Sequence, residues 1–231
     1  MKKKFLLAFL LSLALASCHN LPTSSTTPST PSKDNNIIST DSGDSASFST
    51  GDKKTLILYF DDGDSSTDIS AGVSNSGGGN RTASIASKMH NLVDSDLLEL
   101  TLANPYTSAD LNYSNRSSRV ITEYNNGNTT ARPVLARDFT LEPSKYSHIV
   151  VGYPLWWMHA PWPYLSLFES DRYDFTGIVF GAFDSNGYGN ADIDSNLRAA
   201  LPNNTFVAPG YFSSSSSDSS LKTFLDTVLA A

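Results

Sequence analysis

Short apolar runs recur along the chain from about residue 54 onward, and polar segments separate them. Five of these runs predict strands: KTLILYF (54–60), LLELTL (97–102), SHIVVGYP (147–154), GIVFGAF (177–183) and TFVAPG (205–210). Continuous apolar runs of this length are typical of strands that are buried on both faces of a parallel sheet.

Segments in which apolar residues recur at helical spacing alternate with these runs. Residues 81–93 carry Ile85, Met89 and Val93 on one helical face. Further helices are predicted near 116–124 and over 162–170, 191–201 and 218–229, the last with Asp218 as its N-cap. Strands that alternate with helices predict an α/β fold, with a doubly wound, five-stranded parallel sheet between two layers of helices.

The first residues have the pattern of a secretory leader. A basic start, MKKK, precedes the apolar stretch FLLAFLLSLALA, which is too short to span a bilayer. The segment ends in Leu15-Ala16-Ser17-Cys18, which resembles a bacterial lipobox and implies cleavage before Cys18 and lipid attachment to its sulfur. We therefore predict a leader over 1–17 and a protein held in the bacterial cell envelope by a lipid, with its domain outside the cytoplasm. The alternative is an ordinary secretory leader that happens to contain a cysteine.

The segment that follows the leader differs in composition from the rest of the chain. Residues 18–52 are rich in Ser, Thr, Pro, Asn and Asp, which predicts a disordered tether ahead of one folded domain over 53–231. Cys18 is the only cysteine, so no intramolecular disulfide can form. The chain carries 16 basic and 23 acidic residues, a net charge of −7, and loss of the leader would make it more acidic. This charge argues against a nucleic-acid partner and against any membrane contact other than the lipid anchor.

Motifs of several other chemistries do not occur in the sequence. There is no Gly-x-Ser-x-Gly elbow and no P-loop, and the four histidines are too scattered to predict a zinc site. The acidic stretch DDGDSSTD has carboxylates at calcium-like spacing but lacks the turn glycine of an EF-hand loop, so we interpret it as a solvated loop. No metal site is predicted.

Three loops follow strand ends in positions where doubly wound sheets bind ligands. They cover residues 61–81, 153–161 and 184–190. In such sheets the ligand lies at the carboxyl ends of the strands, where the strand order reverses. All three tryptophans lie within or next to the second loop, in the stretch GYPLWWMHAPW. The sequence therefore predicts a ligand site there.

Five segments of the domain, in chain order, resemble those of flavodoxin-like proteins. They are LILYF, GNRTASIA, YSNRSSRVITEYNNGNTTARPVL, YSHIVVGYPLWWMHAP and YDFTGIVFGAFDSNGYGNADID. The fourth is the most specific, since it resembles the family's Gly-Tyr-Pro-Ile-Trp-Trp-Gly loop. The resemblance covers residues 54 to 229 and implies a flavodoxin-like fold and FMN as cofactor.

The chain also departs from the family pattern. Many relatives have Ser-x-x-Gly-Asn-Thr directly after the first strand, but here Asp61, Asp62 and Asp64 occupy that turn and the Gly-Asn-like element comes later. Met158 stands where the family has the glycine after its tryptophans, and Ile178 replaces a lysine. These departures concern the expected FMN site and not the expected fold.

The resemblance implies a phosphate subsite in the first loop. Flavin phosphates are bound by backbone N–H groups at a helix N-terminus and by small or polar side chains. The residues in the matching positions are Ser76, Gly79, Asn80, Arg81 and Thr82. The alternative is a plain flexible loop in which Thr82 caps the helix, and the nearby aspartates count against a bound dianion.

The resemblance also implies a subsite for the flavin ring. Its wall would come from Pro154, Leu155, Trp156 and Trp157, with one tryptophan against the ring and the other packed in the protein. The ring's polar edge would meet the loop that carries Asp184, Asn186, Gly187, Tyr188 and Gly189. Trp162 is predicted to be core, and His159 an exposed loop histidine.

Two hypotheses about function remain open at this point. The first is a membrane-anchored protein that binds FMN non-covalently and carries electrons, or reduces a quinone-like or other small acceptor, with a redox partner that the sequence does not indicate. Because the cofactor carries the redox chemistry, no catalytic acid, base or nucleophile is assigned. The second is a degenerate flavodoxin fold without FMN that acts as a surface binding or interaction module.

Overall fold

Strands and helices alternate along the described part of the chain. The computed structural model describes residues 54–62, 81–125, 130–186 and 192–231. In chain order the elements are β1 (Lys54–Tyr59), α1 (Arg81–Leu92), β2 (Ser95–Glu99), α2 (Arg119–Asn125), β3 (Tyr146–Tyr153), α3 (Trp162–Phe168), β4 (Val179–Asp184), α4 (Ser195–Ala200), β5 (Thr205–Phe206), β6 (Gly210–Tyr211) and α5 (Asp218–Leu229). A 3₁₀ turn, Pro143–Lys145, leads into β3.

The strands form one parallel sheet in the order β2-β1-β3-β4-β5, and β6 also pairs with β4. The predicted five-stranded sheet is confirmed, because β5 and β6 are two pieces of one fifth strand. The predicted continuous strand over 205–210 is wrong. Phe180 lies opposite Phe206 and Phe183 opposite Gly210, so the fifth strand has one residue more than β4 over this stretch. Pro209, which has no N–H to donate, lies in the interruption.

Two hydrophobic clusters cover the two faces of the sheet. On β1, Ile57 points to the cluster that includes Ile85 of α1 and Leu225 of α5. Leu56 and Leu58 point to the other cluster, which includes residues of α2, α3 and α4. This alternation is what the two-residue period of a strand requires when both faces are covered. The three-layer α/β prediction is confirmed.

Helix and strand ends differ from the predictions where side chains outside the element decide them. β2 is shifted toward the N-terminus relative to the predicted 97–102, because its pairing with β1 ends at Glu99. Leu102 instead forms an isolated bridge with Leu135 and packs in the core. The N-cap of α5 is Ser217 and not Asp218, since the Ser217 hydroxyl accepts a hydrogen bond from the Ser220 N–H.

A buried tyrosine ties α3 to the carboxyl edge of the sheet. The Tyr164 hydroxyl lies 2.8 Å from the Gly152 carbonyl oxygen and 3.1 Å from that of Leu58, so one O–H group faces the ends of both β3 and β1. Burial raises the pKa of Tyr164 well above its ordinary value, so the hydroxyl keeps its proton. This contact holds α3 against the edge at which the predicted ligand loops begin.

Candidate functional site

The strand order brings the ends of β1 and β3 together at the centre of the carboxyl edge. β1 leads to α1 on one face of the sheet, and β3 leads to α3 on the other. The two connections therefore leave the sheet on opposite faces. Doubly wound folds of this strand order bind ligands in the crevice between two such connections.

A chain of hydrogen bonds joins the three predicted ligand loops at this edge. The Thr82 hydroxyl in the first turn of α1 donates to the Ser185 hydroxyl over 2.8 Å, and both side chains are buried. The Ser185 N–H in turn donates to the Tyr153 carbonyl at the end of β3. Beside it, Asp184 is buried and accepts a hydrogen bond of 2.7 Å from the Asn186 N–H. The end of the first loop and the starts of the other two are thus held in fixed relation to one another.

The first turn of α1 also binds a carboxylate from the end of β1. Asp61 Oδ2 accepts a hydrogen bond from the Ala83 N–H over 3.0 Å, although the two residues are 22 positions apart. The side chain acts as an N-cap supplied from another element, and its negative charge is favourable at the positive end of a helix. Asp62, the next residue, is almost completely buried.

Trp156 belongs to the core. It is fully buried, and its indole makes edge-on contacts with the rings of Tyr106 at 4.8 Å, Phe60 at 5.8 Å and Trp162 at 6.3 Å. It has no free face to offer to a ligand in this structure. Trp162 is likewise buried, as the sequence predicts.

Trp157 is only half-buried, and another aromatic side chain lies against it. Its indole stacks on the ring of Tyr124 with centroids 4.1 Å apart and planes inclined by 13°. Tyr113, one of the few large apolar side chains that are exposed among the described residues, lies 6.1 Å from the same indole. These three rings form an aromatic wall beside the loop that follows β3, and of the two adjacent tryptophans only Trp157 contributes to it.

A tight two-residue turn sets the direction of Trp157. Trp156 and His159 exchange two backbone hydrogen bonds, and Trp157 and Met158 between them have φ angles of 50° and 66°. Positive φ at both central residues is the geometry of a type I′ hairpin turn, which normally takes glycine or asparagine. Met158 thus occupies, at some cost in strain, the position where flavodoxin-like sequences have glycine.

We expect Met158→Gly to be more stable than Met158→Ala by about 1 kcal/mol. Both variants remove the same side-chain contacts beyond Cβ, but only alanine keeps the Cβ that disfavours positive φ. Urea unfolding of the two proteins measures the difference. Glycine is freer than alanine in the unfolded chain, which by itself lowers the stability of Met158→Gly. If the two midpoints are equal once this effect has been subtracted, the turn is not strained.

A group of hydrogen-bonded polar side chains holds α2, which carries one ring of the aromatic wall, in place. The Tyr106 hydroxyl donates to Glu123, whose other oxygen accepts a hydrogen bond of 2.7 Å from Arg119 Nε. The Arg119 guanidinium also lies 3.9 Å from the centroid of the Tyr106 ring. Burial, together with the hydrogen bond to Glu123, raises the pKa of Tyr106 far above its ordinary value. The tyrosine is therefore a neutral donor that holds α2, and with it Tyr124, in place.

The structure places some of the predicted site residues and not others. Ser76, Gly79, Asn80, Gly187, Tyr188 and Gly189 lie outside the described residues, as does Cys18. Arg81 and Thr82 begin α1 at the carboxyl edge, and Pro154 and Leu155 are buried beneath the crevice. His159 is half-buried rather than exposed, and its Nδ1 lies 3.3 Å from the Ser195 hydroxyl.

Sequence reasoning missed three contributors to this edge: Tyr124, Ser185 and the capping role of Asp61. The only available signal for Tyr124 was an aromatic residue at the end of the helix predicted near 116–124, which the structure places inside α2. No local pattern indicates that Thr82 pairs with a residue 103 positions later.

Two concave regions lie near these elements. A groove of about 570 Å³ runs between residues 132–137 and the end of α3, away from the strand ends. A smaller cavity of about 160 Å³ lies at the ends of β1 and β2 and is lined by Asp61, Asp62 and Tyr106. The smaller cavity borders the crevice, so size alone does not identify the site.

Comparison with models of protein families shows which family this chain belongs to. The model of the flavodoxin family matches residues 69–228, which is more than half of the sequence. The chain belongs to the flavodoxin family. The resemblance seen in the sequence is thereby confirmed, and the crevice at the β1 and β3 ends is the place where a flavodoxin fold has its switch point. Comparison with curated protein sequences gave no match.

Solved structures of similar fold include bacterial flavoproteins. A protein of Bacteroides eggerthii, described as a candidate flavoprotein, is 25% identical over 76% of this chain and 98% of its own, with a TM-score of 0.60. A candidate flavoprotein of Bacteroides uniformis is 24% identical over 75% and 97% of the two chains, with a TM-score of 0.59. A flavoprotein of Lactobacillus acidophilus, in complex with FMN, is 18% identical over 75% and 99%, with a TM-score of 0.50. At these identities the last two indicate a shared fold.

Proposed function

We propose that this flavodoxin-family protein binds FMN non-covalently and transfers electrons, either as a carrier or in the reduction of a quinone-like or other small acceptor. The observation that carries the proposal is the hydrogen-bonded chain Thr82–Ser185–Tyr153. It holds the first turn of α1, the end of β3 and the start of the β4 loop together at the switch point. A flavin bound at this point would lie against the first turn of α1, the end of β3 and the start of the β4 loop.

The aromatic wall is a second observation that supports the binding of a flat ligand. Trp157 and Tyr124 present apolar rings beside the crevice, and offset stacking of such rings contributes about 0.5–1.5 kcal/mol beyond the buried area. The Lactobacillus flavoprotein, which shares the fold, binds FMN. FMN supplies reversible electron transfer when it is bound, and this chain's part is to bind, orient and shield it.

The phosphate end fits less well than the ring. In the described part of the first turn of α1, the Ala83 N–H already donates to Asp61 and the Thr82 hydroxyl already donates to Ser185. A phosphate at this helix end has to compete with a carboxylate for the same positive end of the helix.

This conflict favours a second candidate function, a flavodoxin fold without FMN that acts as a binding or interaction module. Asp61 then serves only to stabilise α1. The two candidates differ in one measurable property, the affinity of the folded protein for a flavin.

We further propose that lipid on Cys18 anchors the protein to a membrane. The lipobox-like segment that ends at Cys18 supports this. On this proposal the covalent lipid is the attachment, and the acidic domain stays away from anionic lipid. Within residues 54–62, 81–125, 130–186 and 192–231, no helix has the length and apolar character needed to cross a bilayer.

Titration of the purified full chain with FMN tests the first function, with quenching of flavin emission as the signal. We expect saturable binding, and we expect Trp157→Ala to weaken both FMN and riboflavin by about threefold to tenfold, because the wall touches the ring. Phe206→Ala, which removes another half-buried stacked ring at β5, is the matched control and should leave both affinities unchanged. If the folded wild-type protein binds neither flavin, the second candidate takes its place.

A further inference from the structure

The carboxylate of Asp61 occupies the end of α1 at which a flavin phosphate would lie. We infer that Asp61 is an internal competitor of that phosphate, so that this chain distinguishes FMN from riboflavin only weakly. The inference rests on the proposed function, since it concerns the specificity of the same crevice.

The hydrogen bond between Asp61 Oδ2 and the Ala83 N–H is the first step of the argument. Its length of 3.0 Å is that of a normal hydrogen bond, and the acceptor is half-buried. The free N–H groups and the dipole of a helix N-terminus favour one nearby negative charge. Here the protein supplies that charge itself, so a phosphate gains less from this helix end and is repelled by the carboxylate.

The neighbouring side chains do not make this helix end more favourable for a phosphate. The Thr82 hydroxyl, which is predicted to bind phosphate, donates to Ser185 and is almost completely buried. Asp62 lies next to Asp61, is nearly inaccessible to solvent and lines the same small cavity. The one cation among the described residues of the first turn of α1 is Arg81. The described residues at the end of β1 and in the first turn of α1 therefore include two carboxylates and one guanidinium.

In the turn after β1 the chain departs from the family sequence, and this departure agrees with the hydrogen bond between Asp61 and Ala83. The turn after β1 is where flavodoxin-like sequences have serine, whose hydroxyl can donate to a phosphate oxygen. Asp61 stands in that turn and, as an ionised carboxylate, can only accept. Asp61 thus offers an acceptor, and no donor, in the turn where those sequences offer a hydroxyl.

The effect on flavin affinity can be measured without any activity assay. Asp61→Asn removes the charge but keeps an oxygen that can accept the Ala83 N–H, so α1 keeps its cap. Asp174→Asn is the matched control, because it also removes one carboxylate. Asp174 lies in the turn before β4, at the opposite edge of the sheet, where its Oδ1 accepts a hydrogen bond from the Thr176 N–H. Dissociation constants for FMN and riboflavin are measured on the full-chain wild type and both variants, and thermal melting shows that each is folded.

We expect wild-type affinities for FMN and riboflavin to lie within about threefold of each other. Asp61→Asn should tighten FMN by about tenfold or more and leave riboflavin within about twofold, because only FMN carries the phosphate. Asp174→Asn should leave both values unchanged.

A wild type that prefers FMN by far more than tenfold would overturn the inference, and so would an Asp61→Asn variant with an unchanged ratio of the two affinities. Those results leave flavin binding itself intact. If neither folded protein binds either flavin, the proposed function is wrong and the inference falls with it.

Discussion

Replacement of Trp156 by alanine is expected to lower the free energy of unfolding by about 3–5 kcal/mol. The side chain is fully buried and touches Phe60 of the β1 end, Tyr106 of the long connection and Trp162 of α3. Because these partners come from different elements held by the sheet, they cannot all move inward to fill the space. A cavity the size of an indole then remains at the carboxyl edge.

Urea unfolding followed by circular dichroism measures this loss, with Trp157→Ala as the comparison. Trp157 is half-buried, so its removal should cost only about 1–2 kcal/mol, from partial burial and from the stack on Tyr124. Trp156→Phe keeps an aromatic ring and removes an indole N–H that has no acceptor among the described residues, so its cost should be smaller than that of alanine. Equal losses for Trp156→Ala and Trp157→Ala would contradict the assignment of Trp156 to the core and Trp157 to the wall.

Replacement of Cys18 by alanine is expected to move the protein out of the membrane fraction, or to leave it with an uncleaved leader. The thiol is the only sulfur nucleophile in the chain, so no other cysteine can take the lipid. Lipid chains contribute about 0.8 kcal/mol for each buried CH₂ group, so loss of all of them removes nearly the whole attachment.

Cell fractionation and mass spectrometry of the mature protein distinguish the outcomes. Ser24→Ala, a change in the predicted tether a few residues away, is the matched control and should remain lipidated and bound to membranes. A Cys18→Ala protein that is cleaved and fractionates with membranes as the wild type does would refute the lipobox interpretation. It would leave the ordinary secretory leader as the alternative.

Much of the fold could be predicted because it depends on local patterns. Apolar runs such as LILYF and IVVGY are too short and too continuous for amphipathic helices, and they form β1 and β3 within a residue or two of the predicted bounds. The predicted continuity of the fifth strand and the predicted N-cap of α5 were wrong for the opposite reason. An interruption of pairing at Pro209 and a choice between two adjacent polar residues depend on small differences in backbone geometry.

The candidate site was less predictable than the fold. The resemblance of GYPLWWMHAPW to a family loop indicated the correct edge of the sheet but could not say which tryptophan faces inward. That choice depends on the turn at Trp157 and Met158, in which two positive φ angles direct consecutive side chains to different surroundings. The aspartates after β1 were recognised as unfavourable for phosphate, but their bonding to α1 was not.

The sequence by itself determined the α/β class, the number of strands and the edge at which the ligand loops meet, because these follow from the period and length of apolar runs and from the direction of parallel strands. Only the tertiary structure decided that Trp156 is core while Trp157 stacks on Tyr124, that Thr82 bonds to Ser185, and that Asp61 caps α1. Each of these contacts joins residues far apart in the chain. Their partners are selected by how the helices pack on the sheet, a property that no local pattern of residues contains.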